Sequence, residues 1–525
     1  MSGLKSPTPV HVYSEAPGRN TTRGGSELGK TVGKSKKIGF YAAGVILGLL
    51  ALLFRRLYLG QLSSYLLYPD TAEYFDAAQN LALGRIDLMR MPLYPLFLLV
   101  VSRLSGTGVG TDAFVAVTVD VQCVLSSVGI LFLYHSLVML LSRPLQYRPC
   151  SIAGRIGAFG SDSGDKDRPA DPGTYSLKAI AGSFLAAGLA AIHPALVNWD
   201  FLILTESLTI FWMILLVWSW LRYTRTFPEK SPYSERMPPR VGSLIQIFIF
   251  SAFLAFTKPF YLALPGLLLL LLALFAFFNG RSARAHLLPA GICTLSVYLL
   301  MGTYCVVNGV QNNYYGLTGV SGINSFGKIL QYRMEDLGEE GQILEQIRQE
   351  TARSGEPPEP AEFAEKYGYD RENYQGIRDF AESIIRKNPL RYMKETLKLI
   401  FWTLLDQRAL TDYNNRVFIV DPWVRGWMKM LGGSVFTYAV LYVLLAAWIL
   451  LSAGMIACKQ SGPRAILARA FLLILVLYQI AMTLAGAHGE YARLIAPVLV
   501  VVLILCTDLL ITGICFVIRL YKSPG

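Results

Sequence analysis

A carboxylate and a basic residue that follow the first apolar segment have the types and spacing best suited to chemistry. Asp70 opens a predicted helix that Gly84 closes, and Arg90 stands shortly after that glycine, just before a second apolar run. A carboxylate within hydrogen-bonding reach of a hydroxyl can take its proton. A guanidinium can stabilise negative charge that develops beside it. The segment therefore holds the residue types needed for proton transfer next to a bound anion.

A structural role for Asp70 is also open. Asp70 and Glu73, three residues apart, form a start that resembles a capping box, in which two side chains satisfy the free backbone N–H groups of a helix. Capping and catalysis are compatible if the carboxylate lies at the membrane surface. The sequence pattern leaves both roles open.

Three more ionisable residues stand at the ends of apolar segments. Lys258 and Arg493 are each predicted at a helix end, where they either bind an anion or anchor the helix by snorkelling to the headgroups. Glu206 is predicted about one turn inside a membrane helix, which is an unfavourable place for a carboxylate without a partner. We expect a functional role for Glu206, or an ion pair with a residue such as Lys258.

The composition indicates which elements must position these residues. The 525 residues are 53% hydrophobic and 16% charged, with a mean hydropathy of +0.42, whereas about a quarter of the residues of soluble proteins are charged. The net charge of +12 is explained by basic cytoplasmic loops, and no nucleic-acid-binding motif occurs, so no nucleic-acid partner is expected. The seven cysteines lack metal-ligand spacing. A polytopic, all-α integral membrane protein is predicted.

Ten apolar stretches are long enough to span a bilayer. Two shorter runs, Leu93–Val101 and Leu397–Leu405, are predicted to be re-entrant or interfacial helices. The ten predicted spans are Ile38–Phe54, Val121–Leu141, Ala179–Val197, Phe201–Leu221, Val241–Thr257, Pro259–Phe278, Leu287–Val307, Leu431–Ala457, Ala470–Gly486 and Leu494–Ile518.

The distribution of Lys and Arg predicts the topology. With ten spans, the basic segments all fall on one side, so both termini are predicted to be cytoplasmic in an inner (plasma) membrane protein. Arg55 and Arg56 are exceptions that are expected to snorkel to the outer headgroups. The predicted organisation is a polar tail (1–37), a membrane module (38–307) containing an outer loop (58–120), an extracytoplasmic helical domain (308–430) and C-terminal membrane helices (431–525).

Several short motifs resemble those of the GT-C glycosyltransferases, especially the bacterial relatives of protein O-mannosyltransferases and lipid A aminoarabinose transferases. Two departures are Lys258-Pro259, where the family more often has Arg-Pro, and Leu494, where it has tyrosine. The similar motifs are Asp70-x-x-x-Tyr74, Leu81-x-x-Gly84-Arg85, Arg90-x-Pro92-Leu93-Tyr94-Pro95, His193-Pro194, Thr205-Glu206-Ser207-Leu208, Phe256-Thr257-Lys258-Pro259, Asn388-Pro389-Leu390-Arg391-Tyr392 and Glu490-Tyr491-Ala492-Arg493-Leu494-Ile495-Ala496-Pro497.

The resemblance implies a GT-C-like helical bundle that transfers a monosaccharide with inversion from a polyprenyl-phosphate-linked donor. The acceptor is a protein, lipid or glycan at the outer face, and membrane lipids are the remaining partners. Asp70 is the implied base, and Lys258, Arg493 and Arg90 are the implied donor-phosphate ligands. A transporter or flippase of lipid-linked sugars is the alternative. The candidate acceptor- or sugar-binding residues are Tyr74, Tyr94, Glu206, His488, Glu490 and Tyr491.

A divalent metal is a candidate cofactor. His488 and Glu490 are close in sequence and are of the types that bind metals. Two ligands on a short turn are a weak signal for a metal site. No other cofactor is expected.

Overall fold

The computed structural model describes residues 25–62, 67–142, 177–225, 227, 241–279, 284–369, 374–400, 421–423, 425–426, 435–457, 463–489 and 491–522. Helices dominate this part of the chain, and no β-strand occurs in it. The helices named below are α1 (Gly25–Leu59), α2 (Pro69–Ala82), α3 (Leu93–Ser105), α4 (Asp112–Leu141), α5 (Leu177–Ile192), α6 (Pro194–Val197), α7 (Thr205–Thr224), α8 (Val241–Thr257), α9 (Leu264–Asn279), α10 (Leu287–Asn312), α11 (Val320–Gln331), α12 (Gln342–Ser354), α13 (Pro360–Lys366), α14 (Tyr374–Lys387), α15 (Pro389–Lys398), α16 (Val435–Ala457), α17 (Pro463–Gly486) and α18 (Tyr491–Lys522).

The apolar helices make this an integral membrane protein. Within the described ranges, seven helices are long and apolar enough to cross a membrane, or eight if one bent helix pair is a single span. Three shorter apolar helices lie at Leu93–Ser105, Val241–Thr257 and Ala439–Ala453. Each of the ten predicted spans coincides with one of these helices, but fewer than ten have full spanning length in the described residues.

The bent pair corrects the predicted span Ala179–Val197, because the bend lies within it and the second helical segment continues to Phe201. The axes of Ala179–Ile192 and Pro194–Phe201 differ by 62°. Pro194, which has no N–H to donate, begins the second helix. The following Asn198–Phe201 turn is a buried 3-10 helix. The next membrane helix therefore begins at Thr205, not at residue 201.

The charges near this turn explain why it is buried. Arg55, expected to snorkel to the headgroups, is instead enclosed, and its Nε lies 2.8 Å from Oδ2 of Asp200. Further Arg55 nitrogens donate to the Ala191 carbonyl and the Ser126 hydroxyl. A buried ion pair is tolerated when its remaining donors are satisfied in this way. Arg56 is partly exposed and pairs with Asp120.

A second hydrophobic core lies in the helices α11–α15, which we call the cap domain. Its centre contains Phe326, Ile347, Phe363 and Ile377, and it is separate from the membrane core. The helical patterning predicted in this region is confirmed by α12, α13 and α14. Residues 401–405 of the short apolar run Leu397–Leu405 lie outside the described residues.

Candidate functional site

Asp70 is the second residue of helix α2 and does not cap it. Pro69 occupies the first helical position, so the N-cap is Tyr68. The Tyr68 N–H donates to the Thr71 hydroxyl at 3.0 Å. Gly84, with a φ of +73°, follows the helix in a left-handed conformation that favours glycine. The capping box predicted for Asp70 and Glu73 is therefore wrong, and the Asp70 carboxylate is available for other contacts.

The Asp70 carboxylate lies between two guanidinium groups. Its Oδ1 is 3.0 Å from a terminal nitrogen of Arg90, and its Oδ2 is 2.8 Å from a terminal nitrogen of Arg493. The side chain remains 27% exposed. Burial alone would raise the pKa of Asp70, but the charges and hydrogen bonds of Arg493 and Arg90 lower it to about 2. Asp70 is thus an ionised carboxylate that is partly exposed.

Arg90 is fixed by the loop and helix around it. Its Nε donates to Glu73 at 2.8 Å, and its guanidinium lies 4.7 Å from the centre of the Tyr74 ring. The Asp87 carboxylate accepts the backbone N–H groups of Met89 and Arg90. This turn and the aromatic contact hold the guanidinium against α2, where a cation–π interaction adds to the ion pairs.

Glu206 joins two basic residues inside the protein. One oxygen, Oε1, lies 2.6 Å from Nζ of Lys258 and 2.6 Å from Nε of Arg493. Glu206 is fully buried, which explains how a carboxylate is accommodated at the start of a membrane helix. The expected partnership of Glu206 with Lys258 is present, and Arg493 is a second partner that the sequence did not indicate.

These contacts form one connected group, which we call the ionic cluster. It brings together Asp70 and the three predicted phosphate ligands, and adds two further carboxylates. Arg493 connects its two halves, because it contacts both Asp70 and Glu206. The members of the ionic cluster are Asp70, Glu73, Arg90, Glu206, Lys258 and Arg493.

Two predicted tyrosines pack directly behind the ionic cluster. The Tyr74 and Tyr94 rings are edge to face, with centroids 5.0 Å apart. Tyr94 is completely buried and its hydroxyl donates to Gln122 at 2.8 Å. Tyr94 therefore packs against the Tyr74 ring from the buried side. The predicted contact of Tyr94 with an acceptor stays a prediction.

The remaining predicted residues lie toward the cap domain. The Tyr491 hydroxyl is 3.1 Å from Lys328 Nζ and 3.1 Å from Gln331 Nε2, both on α11. His488 Nε2 lies 3.9 Å from a Glu359 oxygen. Glu490 lies outside the described residues. Among described side chains, no group of three or more potential ligands converges on a metal site, and the metal stays a prediction.

Several residues that position the ionic cluster were missed by the sequence analysis. Thr71 donates to the Ile203 carbonyl at 3.3 Å and so ties α2 to the segment before α7. Gln122 donates to the carbonyls of Asp200 and Leu202, at 3.0 and 2.8 Å. A lone amide within an apolar helix was the available signal for Gln122, since such residues usually have a partner. Nothing in the local pattern distinguishes Thr71.

No protein-family model and no curated protein matches the chain. Among solved structures, the chain is similar to the archaeal oligosaccharyltransferase AglB from Archaeoglobus fulgidus in complex with an inhibitory peptide and a dolichol-phosphate, at 13% identity and a TM-score of 0.46, covering 93% of this chain and 52% of AglB. The Archaeoglobus fulgidus oligosaccharyltransferase in the apo form gives 14% identity and a TM-score of 0.47, covering 93% of this chain and 52% of that protein.

The chain is also similar to ArnT from Cupriavidus metallidurans bound to undecaprenyl phosphate, at 13% identity and a TM-score of 0.35, covering 90% of this chain and 78% of ArnT. The chain spans about half the length of the oligosaccharyltransferase, 52% in the first comparison.

Proposed function

We propose that this protein is a membrane glycosyltransferase that moves a monosaccharide from a polyprenyl-phosphate-linked donor to an acceptor hydroxyl. The observation that carries the proposal is the position of Asp70, a partly exposed carboxylate held between Arg90 and Arg493. The motifs that contain these residues resemble those of GT-C glycosyltransferases, which supports the same reaction.

The basic residues of the ionic cluster are suited to a phosphate leaving group. Guanidinium groups form paired, charge-assisted hydrogen bonds with phosphate oxygens. In the proposed reaction Arg90 and Arg493 turn from Asp70 toward the donor phosphate. Lys258, which shares one Glu206 oxygen with Arg493, takes over the neutralisation of Glu206 when Arg493 turns away. The two guanidinium groups stabilise the charge that develops on phosphate as the bond to the sugar breaks.

The same change prepares Asp70 as a base. With both guanidinium groups against it, the pKa of Asp70 is about 2, lowered by Arg493 and Arg90 against the effect of burial, so the carboxylate holds a proton weakly. When the phosphate shares these guanidinium groups, that lowering decreases and the carboxylate becomes more basic. Asp70 then takes the acceptor proton while the acceptor oxygen bonds to the anomeric carbon and the polyprenyl phosphate leaves, with inversion.

We also propose that the ionic cluster faces the extracytoplasmic side, with both termini cytoplasmic. The cap domain follows α10 and the ionic cluster lies at the ends of α7 and α18 nearest to it. The basic Arg222 lies at the other end of α7. Under the positive-inside rule that end is cytoplasmic.

The test is transfer of labelled sugar by the purified, full-length protein. Radiolabelled polyprenyl-phosphate sugars are supplied together with a membrane extract as the source of acceptors. We expect label to leave the carrier, and Asp70→Asn to reduce transfer by roughly 10² to 10⁴, the usual contribution of a general base. Asn keeps the size and hydrogen bonding of the side chain, so donor binding should persist.

Asp76→Asn is the matched control, because Asp76 lies on the same helix and outside the ionic cluster. Near-normal transfer is expected from it. Wild-type transfer by Asp70→Asn would remove the proposed base. If the label stays on the carrier with every donor and the labelled carrier crosses the membrane, the protein is a flippase and not a glycosyltransferase.

A further inference from the structure

Helix α11 of the cap domain contacts the segment that carries Arg90. Just before the helix begins, the Gly319 N–H donates to the Leu88 carbonyl at 2.8 Å. The Thr318 hydroxyl donates to the Met89 carbonyl at 2.6 Å. These two carbonyls belong to the residues immediately before Arg90. The start of α11 is thereby attached to the backbone that positions one of the two guanidinium groups of Asp70.

The other end of α11 contacts the segment that carries the second guanidinium group. Lys328 and Gln331 both approach the Tyr491 hydroxyl at 3.1 Å. Tyr491 is buried and begins α18, which also carries Arg493. One short helix therefore contacts both of the segments that provide the arginines around Asp70.

The fit between α11 and the residues before α18 is close. A Cβ atom added at Gly327 would lie 2.5 Å from Cγ of His488, a distance that side chains do not adopt. Glycine therefore allows the α11 backbone to lie directly against the His488 side chain. The opposite face of α11, with Phe326 and Ile329, is buried in the core of the cap domain. A movement of that domain would thus be transmitted to α11 and from there to both contacts.

Lys328 is an unusual residue for a purely packing role. It is fully buried, and its amine lies 5.1 Å from the ring centres of both Tyr332 and Tyr491. Among the described residues no carboxylate pairs with it. Burial lowers the pKa of Lys328 to about 7, since the charged form is poorly solvated there. Burial of an amine is unfavourable unless it is hydrogen-bonded, and Lys328 donates to the Tyr491 hydroxyl.

We infer that α11 sets the separation of Arg90 and Arg493 around Asp70, with Lys328 and Tyr491 as the positioning pair for Arg493. Neither residue is proposed to touch the reacting atoms. Lys328 acts through the Tyr491 hydroxyl, and Tyr491 acts through the first turn of α18. The effect on sugar transfer rests on the proposed function, whereas the coupling between the cap domain and the ionic cluster does not.

The coupling is tested by hydrogen–deuterium exchange of the full-length protein in lipid nanodiscs. Lys328→Met should increase exchange about fivefold in the first turn of α18, as expected for the loss of one hydrogen bond that closes a local opening. Tyr491→Phe also removes the hydrogen bond with Gln331, so its increase should be at least as large. Since both changes remove the hydrogen bond between Lys328 and Tyr491, the double variant should show no increase beyond that of Tyr491→Phe.

Lys366→Met is the control, because Lys366 lies on the surface of the same domain, half exposed. It should leave exchange at α18 unchanged. Unchanged exchange in Lys328→Met, or additive increases in the double variant, would overturn the positioning pair. If Lys328→Met does not fold, the exchange of Tyr491→Phe, which removes a single hydroxyl, tests the positioning pair by itself.

Sugar transfer supplies the second measurement. Misplacement of Arg493 should weaken donor binding, so Lys328→Met and Tyr491→Phe should raise the donor KM about tenfold, as one weakened charge-assisted contact would. If exchange increases but KM is unchanged, α11 does not position the arginines for transfer. If the wild-type protein transfers no sugar, the proposed function fails, and the exchange results still decide the coupling.

Discussion

Glu206→Gln is the change that most directly tests the arrangement of buried charge. In the wild-type protein one Glu206 oxygen lies 2.6 Å from Lys258 and 2.6 Å from Arg493. The side-chain exposure of the three residues is 0%, 7% and 8%, so little water reaches them. Gln has nearly the same shape and carries no charge. The variant would leave two buried cations without the carboxylate that they share.

The expected loss of stability is large. Removal of one partner of a buried ion pair typically destabilises a protein by about 3 to 5 kcal/mol, because the remaining charge is not compensated. Arg493 keeps Asp70 as a partner, which limits the loss on that side. Lys258 is the more affected of the two. We therefore expect Glu206→Gln to destabilise the protein by about 3 kcal/mol or more.

The assay is the fraction of purified protein that remains folded after heating in detergent, followed by size-exclusion chromatography. Glu206→Gln should unfold at a clearly lower temperature than the wild-type protein. The double variant Glu206→Gln/Lys258→Met should recover part of the difference, because it removes one uncompensated charge. Glu73→Gln is the control, since Glu73 is 56% exposed and its ion pair with Arg90 is worth about 1 kcal/mol or less.

The ranking of the three variants decides the result. If Glu206→Gln is as stable as Glu73→Gln, the buried bridge described here does not contribute as reasoned. If the added Lys258→Met lowers stability further, Lys258 contributes through packing and not through its charge.

Two further predictions concern pH and topology. Burial would raise the pKa of Asp70, but Arg493 and Arg90 lower it to about 2, so its ion pairs stabilise the folded state above about pH 4 and this contribution is lost as the pH falls through about 2. The difference in unfolding temperature between the wild-type protein and Asp70→Asn should accordingly disappear near pH 2, and a constant difference down to that pH would contradict the ion pairs. A cysteine at position 340 should react with a membrane-impermeant maleimide on intact cells and one at Arg222 should not, whereas the opposite result would put the ionic cluster on the cytoplasmic side.

Hydropathy located the membrane helices because it is a local property of the sequence. It could not show that Asn198–Phe201 is buried. Asn198, Trp199 and Asp200 are residues typical of an exposed turn. The turn is buried instead because Asp200 pairs with Arg55, which is distant in the sequence. Two opposite charges near the ends of apolar segments were a signal for that pair, although they did not identify it.

The motifs identified most of the charged residues of the site, but they did not show which of these residues contact one another. Asp70, Arg90, Lys258 and Arg493 were all singled out, and the structure places them in one cluster with Glu206. The position of Pro69 was the overlooked signal at the start of α2, since proline is favoured at the first helical position and makes the preceding residue the cap.

Lys328 could not have been found in this way. In the sequence it is a single lysine within an amphipathic helix, a pattern typical of a solvent-exposed position. Its burial depends on Tyr491, which lies 163 residues further along the chain. Local periodicity carries no information about a contact of that range.

The enclosed pair of Arg55 and Asp200 has a consequence for how the protein is made. The two residues are 145 positions apart, so α1 enters the membrane before the partner of Arg55 exists. At about 5 to 20 residues per second, the ribosome needs roughly 7 to 30 s to reach Asp200. An unpaired arginine disfavours the insertion of a span, by about 2.5 to 3.5 kcal/mol at the centre of the helix and by less toward its end, where Arg55 lies in Gly39–Leu59. We expect α1 to stay shallow, with Arg55 among the headgroups or beside the translocation machinery, until α5 and the segment after it arrive and draw Arg55 to its final depth.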